Sequence, residues 1–266
     1  MNRPAPDPES VRAYWEANPV AATSVDWPLG SPEFFAAYDL LREQNENIEF
    51  SSRLHEFERF DGRRVLDVGC GNGYVLSRYA AMGAEVYGID ITKKAIELTR
   101  ERFRLHNLKG DFRVAEAEHL PFADATFDCV NSMGVLHHVP DTERAVAEIY
   151  RVLKPDGRLI VMVYHRNSVL YRIRFAIESV LTRKAVQQLV NEVDGVGNHK
   201  GDVYSRAELR ELLARFDAVE LQVGLLQPWM VTPRGSRFIP LAWLRPFERR
   251  WGWFLYAKAN KPIGPR

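Results

Sequence analysis

Three glycines at alternate positions, Gly69, Gly71 and Gly73, follow the apolar run Val65-Leu-Asp-Val68 and precede a second apolar stretch. Glycine is needed where a chain turns with positive φ, or where backbone must approach a ligand that a Cβ would exclude. A strand-loop-helix of this kind serves phosphates, dinucleotides and nucleosides alike. The dinucleotide fingerprint G-x-G-x-x-G would place its third glycine at position 74, which is Tyr74. The spacing therefore favours a nucleoside without a pyrophosphate over NAD, and makes a dehydrogenase the weaker reading. Seventeen residues past Gly73, Asp90 closes the run Glu85-Val-Tyr-Gly-Ile-Asp90. A carboxylate at the tip of a second strand can accept hydrogen bonds from both hydroxyls of a ribose.

These residues need a sheet to bring them together. Val65–Val68 and Glu85–Asp90 read as the first two strands, Phe112–Ala117 as a third with Glu116 near its end, Phe127–Ser132 as a fourth and Arg158–Tyr164 as a fifth. Helical patterns alternate with them, the signature of an α/β fold with a parallel sheet and ligands at the carboxyl ends of the strands. Ala218–Leu225 and Trp253–Ala259 read as two final strands paired antiparallel, after a helix at Ser205–Phe216 that opens on the capping pair Ser205 and Glu208. The expected fold is a Rossmann-like, doubly wound seven-stranded sheet, mostly parallel with an antiparallel last strand.

The ordered runs D-V-G-C-G-N-G (67–73), G-I-D (88–90), A-E-A-E-H-L-P-F (115–122), L-H-H-V-P-D (136–141) and L-K-P-D-G (153–157) resemble class I S-adenosylmethionine-dependent methyltransferases. Within these they resemble the small-molecule branch of ubiquinone/menaquinone-type and natural-product enzymes, over residues 60–165. The resemblance implies S-adenosyl-L-methionine as cofactor, with S-adenosyl-L-homocysteine as product. It implies that Gly69, Cys70 and Gly71 lie along the methionine and ribose, Asp90 holds the ribose hydroxyls and Ile91 packs on the adenine. Glu116 stands where the family usually has Asp, facing the adenine amino group, with the Ala117 N–H nearby. A backbone carbonyl near Met133 would accept from the methionine ammonium, Asp67 would order the loop, and Tyr14 on an N-terminal lid helix would reach the donor carboxylate or the acceptor. His137 and His138 follow the fourth strand at the mouth of the site. A histidine suits proton removal from an acceptor hydroxyl or amine, and His137 is the favoured base, with His138 and His165 behind it. Adjacent histidines cannot both face one ion from a regular element, and no metal is expected. A non-catalytic, cofactor-binding or regulatory member of the same fold is the alternative.

Composition agrees with an enzyme of one α/β domain: 266 residues, 46% hydrophobic and 27% charged. Residues 1–60 read as an N-terminal helical lid, with Ser10 capping its first helix, and 61–266 as the methyltransferase domain. Insertions at 165–203 and 227–250 would form the acceptor cover. Cys70 and Cys129 are no disulfide framework, the Pro-rich start at Asn2–Pro8 is no apolar leader, and a cytoplasmic location is expected. The net charge of +1 conceals −7 over residues 1–165 and +8 over residues 166–266. The basic third reads as a solvated surface or as a cover for an anionic acceptor. Val169–Val190 reads as one amphipathic helix, packed on the core in preference to lying on a membrane surface. The aromatic segment 227–251 lines either an acceptor pocket or a homodimer interface. The partner expected is a small-molecule acceptor, and no nucleic acid, since no Asn/Asp-Pro-Pro-aromatic motif flanks the fourth strand.

Overall fold

Eight strands form one sheet in the computed structural model, which describes residues 7–20, 22, 24–196, 198, 200–232 and 234–264. They are β1 (Arg64–Val68), β2 (Glu85–Asp90), β3 (Asp111–Val114), β4 (Phe127–Met133), β5 (Leu153–His165), β6 (Val203–Tyr204), β7 (Asp217–Gly224) and β8 (Phe254–Asn260). The order is β3-β2-β1-β4-β5-β8-β7, and the two-residue β6 pairs with the end of β5. Every pairing in the β3-to-β5 half is parallel, whereas β8 runs antiparallel to both β5 and β7. The expected sheet is therefore present, with β6 as an added eighth strand.

The central strands are buried on both faces, which is why they read as continuous apolar runs rather than alternating ones. Leu66 and Val68 of β1 enter the core on one face, and Val65 enters the other. The strand order reverses between β2-β1 and β4, so the ends of β1, β2 and β4 open a crevice at the switch point.

Several elements depart from expectation. The first helix, Pro8–Ala17, is capped by Asp7 and not by Ser10: the Asp7 carboxylate accepts from the Glu9 N–H, and Pro8 presets the first helical φ. Among the described residues of the 1–60 segment, this helix and Pro19 and Val20 just after it lie over the crevice. The helices Pro32–Asn45 and Ile48–His55 send Phe34, Phe35, Tyr38 and Leu54 into the same core as Val65 and Tyr79. Val169–Val190 is not one helix. A π turn at Leu170–Arg174 leads into helix Phe175–Thr182, which stops at Arg183 with φ of 58° before a short helix at Val186–Asn191. The Thr182 hydroxyl donates to the Glu178 carbonyl and the Ser179 hydroxyl to the Lys184 carbonyl, closing the helix locally. The Ser205 capping box forms as expected, at the start of Arg206–Leu212. The start of the chain to Pro6 lies outside the described residues.

Candidate active site

The crevice is a cleft of about 800 Å³. Its floor is the glycine loop after β1. Gly69 and Cys70 both donate backbone N–H bonds to the Ile89 carbonyl, at 2.8 and 2.9 Å, tying the loop to β2. Gly69 sits at φ of 78°, and a Cβ there would run into Val135. Gly71, at φ of 56°, donates its N–H to Asp90 Oδ2 at 3.1 Å. The other Asp90 oxygen accepts from the Thr92 N–H at 3.0 Å and hydroxyl at 2.9 Å. Burial raises the Asp90 carboxyl from its ordinary range, and these donors act against the rise. Ile91, Ala115, Ala117 and Met133 line the apolar walls, with Glu118 the second carboxylate of the lining. Beneath the loop, Asn131 of β4 donates to Asp67 of β1 at 2.7 Å, and burial pushes the Asp67 carboxyl up to about 7. Asp67 is thus occupied in joining two strands.

The first helix closes the cleft from above. Val11 and Trp15, four residues apart and so on one face, reach its interior. Arg12 pairs with Glu116 at 2.8 Å, Tyr14 donates its hydroxyl to the Asp194 carbonyl at 2.8 Å, and Glu16 accepts from the N–H groups of Lys93 and Lys94 at 2.9 and 3.2 Å. Three neighbouring residues therefore latch one helix to three separate elements.

A polar network lies at the far end. His138 faces the cleft, its ring edge-on to Trp15 at 5.1 Å. Its Nδ1 contacts the Lys200 carbonyl, which can only accept, so Nδ1 carries the hydrogen. Its Nε2 lies 3.4 Å from Asp194 Oδ2, while Tyr164 donates its hydroxyl to Asp194 Oδ1 at 2.5 Å. Burial lowers the His138 pKa, and the Asp194 charge pulls it back upwards. Burial raises the Asp194 pKa, with His138 and Tyr164 opposing.

Seven of the residues expected from the sequence meet at the cleft: Gly69, Gly71, Asp90, Ile91, Ala117, Met133 and His138. Five do not. Cys70 turns its Sγ into the core, 3.5 Å from the Thr99 hydroxyl. Tyr14 points to Asp194, and Glu116 is held outside the cleft lining by Arg12. His137 is wholly buried between His138 and Tyr164, with both ring nitrogens lacking a hydrogen-bond partner, and burial drives its pKa far down. It cannot reach an acceptor. His165 donates from Nδ1 to the Gly252 carbonyl and faces a different groove, beside helix Leu241–Trp251. Sequence reasoning missed Glu118, two residues beyond Glu116 in the same run, and Asp194, which sits in an insertion with no motif around it.

Residues 66–161 match the family model described as a methyltransferase domain. That stretch is similar to a methyltransferase domain. Over 121 residues it is 39% identical to methyltransferase GfsG of Streptomyces halstedii, covering 42% of this chain and 44% of that protein. Over 116 residues it is 40% identical to a ubiquinone biosynthesis O-methyltransferase of Alkalilimnicola ehrlichii, covering 42% of this chain and 45% of that protein. The chain thus spans less than half the length of these curated relatives. A solved SAM-dependent methyltransferase from Methanosarcina mazei superposes with a TM-score of 0.58 at 26% identity, over 80% of this chain and 98% of that one. The matched stretch covers the glycine loop, Asp90 and both central histidines. It ends before the insertion that supplies Asp194.

Proposed function

We propose that the chain is an S-adenosyl-L-methionine-dependent methyltransferase acting on a nucleophilic oxygen, nitrogen or carbon of a small metabolite, with His138 in place of His137 as the proton acceptor. The carrying observation is Asp90 at the tip of β2, facing the cleft beside a glycine loop whose Gly69 leaves no room for a side chain. A nucleoside fits that donor set. Asp90 would accept from the two ribose hydroxyls, Ile91 and Ala117 would enclose the base, and the loop at Gly69 and Gly71 would admit the rest at backbone distance. When bound, the cofactor supplies a sulfonium-activated methyl group open to in-line displacement. What the chain adds is position, exclusion of water and a place for a proton. Alignment of reactants alone is worth roughly 7–11 kcal/mol at its upper range.

Where the acceptor is a hydroxyl or an ammonium, its proton must leave. His138 lines the cleft end, and its Nε2, 3.4 Å from Asp194 Oδ2, would take the proton, with the Asp194 carboxylate stabilising the imidazolium that forms. The relative named as a ubiquinone biosynthesis O-methyltransferase supports an oxygen nucleophile. Trp15 and Val11 roof the cleft and keep water from the reacting atoms.

Calorimetric titration with S-adenosyl-L-homocysteine tests the reading. We expect micromolar or tighter binding, and a loss of about 10²-fold or more in D90A, since two hydrogen bonds to a charged acceptor are removed. Undiminished binding in D90A would overturn the assignment of the nucleoside site.

A further inference from the structure

Two helices each leave a stripe of apolar side chains in solvent. On Leu241–Trp251 the residues Trp243, Phe247 and Trp251 recur every four positions and so share a face, and no residue of that helix is buried. Trp243 is 69% exposed and Phe247 47%, and the Phe247 and Trp251 rings stack at 5.4 Å. Ile173, Ile177 and Leu181 repeat the four-residue spacing along the π turn and the helix after it, each more than half exposed. The two stripes converge, because Ile173 and Trp251 line one open groove together with Arg172, Arg206, Arg249 and Arg250. No carboxylate lines that groove among the described residues. The acid of helix Leu241–Trp251, Glu248, accepts instead from the Leu225 N–H at 2.8 Å. Arg172 bonds to the Asn167 side-chain oxygen and Arg206 to the Arg249 carbonyl, and no carboxylate pairs with either among the described residues.

We propose that this face docks on an anionic phospholipid bilayer. The aromatic and aliphatic stripes would enter the boundary between headgroups and acyl chains, and the groove arginines would take lipid phosphates. Charge complementarity selects this occupant. Residues 166–266 carry +8 against −7 in the remainder, so the molecule is oriented with its basic third towards a negative surface. A second copy of the chain is disfavoured by the same charges: a two-fold interface sets a patch against itself, and four arginines would face four arginines. Single-stranded nucleic acid would use stacked rings, yet Ile173, Ile177 and Leu181 offer none. Aliphatic side chains beside tryptophan match a hydrocarbon boundary instead.

The test is flotation of the full chain with vesicles of phosphatidylcholine, with and without phosphatidylglycerol, at about 0.1 M and about 0.5 M salt. Binding is expected only with phosphatidylglycerol, and should weaken at the higher salt. R249E/R250E should lower the partition more than roughly 25-fold, at about fivefold per basic side chain, whereas R249K/R250K should retain it. W243A/F247A should lower it about tenfold or more. All variants are checked for an unchanged thermal midpoint, so that loss of binding is not loss of fold. No flotation with anionic vesicles overturns the proposal. So does equal, salt-insensitive flotation with neutral ones. A dimer in sedimentation equilibrium that W243A/F247A abolishes, without vesicle binding, would assign the face to a second copy. Retention of single-stranded RNA without vesicle binding would assign it to nucleic acid.

Discussion

His137 and His138 share a residue type and a motif, and differ in which way the turn after β4 sends each ring. His137 packs at a tilt against Tyr164, ring centres 3.9 Å apart, and His138 goes to the cleft. A sequence cannot choose between adjacent histidines in an irregular turn, because no helical or strand period fixes their faces. Asp90, in contrast, was legible, since a strand tip after a glycine loop has one geometry. The electrostatics of His138 lead to a pH prediction. Burial holds its pKa below the ordinary value, and Asp194 supports it from the other side. A base works only after its own proton has left. The kcat/KM profile for the acceptor should therefore rise through an acid limb below pH ~6.5 and then level off. Asp194→Asn removes the favourable charge, so the limb should move to still lower pH while the plateau falls. His138→Ala should slow transfer ~10²–10⁴-fold without a matching loss of S-adenosyl-L-homocysteine affinity. A profile whose acid limb stays in place in D194N would dissociate the carboxylate from the histidine.

At the scale of elements, the central strands could be read because each is a buried apolar run, while helix limits depended on local hydrogen bonds. Asp7 outcompeted Ser10 as cap because a proline follows it, and the Ser179 and Thr182 hydroxyls ended a helix whose apolar spacing continued past them. The helix Lys93–Leu105 shows a contact between elements that no local pattern announces. Its first turn carries Lys93 and Lys94 and no acid, an unfavourable arrangement at a positive dipole end. Glu16 of the lid helix supplies the missing anion across the cleft mouth. The lid is thus fastened by a charge–dipole contact and two hydrogen bonds to free N–H groups. Glu16→Gln keeps the shape and removes the charge. Release of S-adenosyl-L-homocysteine, followed by stopped-flow fluorescence of Trp15, should become about three- to tenfold faster. An unchanged off-rate in E16Q would mean that the lid is held by Arg12, Tyr14 and apolar contacts alone.

For the whole molecule, the first 60 residues read as a separate lid because one sequence gives no partner for Phe34, Phe35 and Tyr38. Their partner is the sheet, and Arg102 shows how firmly the two are joined. Its side chain is 1% exposed. It donates from Nε to the Asn72 carbonyl of the glycine loop at 2.8 Å and from Nη1 to both Asp39 oxygens at 2.8 and 3.0 Å. The guanidinium also lies 4.5 Å from the Phe35 ring centre. One residue of helix Lys93–Leu105 therefore holds helix Pro32–Asn45 and the cofactor loop at once. The two partners of the ion pair differ in access to water, since the Asp39 side chain remains 31% exposed. Removing the buried cation lets Asp39 rehydrate, whereas removing the anion strands a charge in the core. Asp39→Ala should thus cost the more, roughly 3–5 kcal/mol in urea unfolding, and Arg102→Met, which preserves most of the volume, distinctly less. The cofactor should register the opposite order. Arg102→Met frees the Asn72 carbonyl and loosens the glycine loop, so S-adenosyl-L-homocysteine affinity should fall further in R102M than in D39A. If both substitutions ranked alike in stability and in affinity, Arg102 would act by filling space, and its charge would have no part in coupling the N-terminal helices to the site.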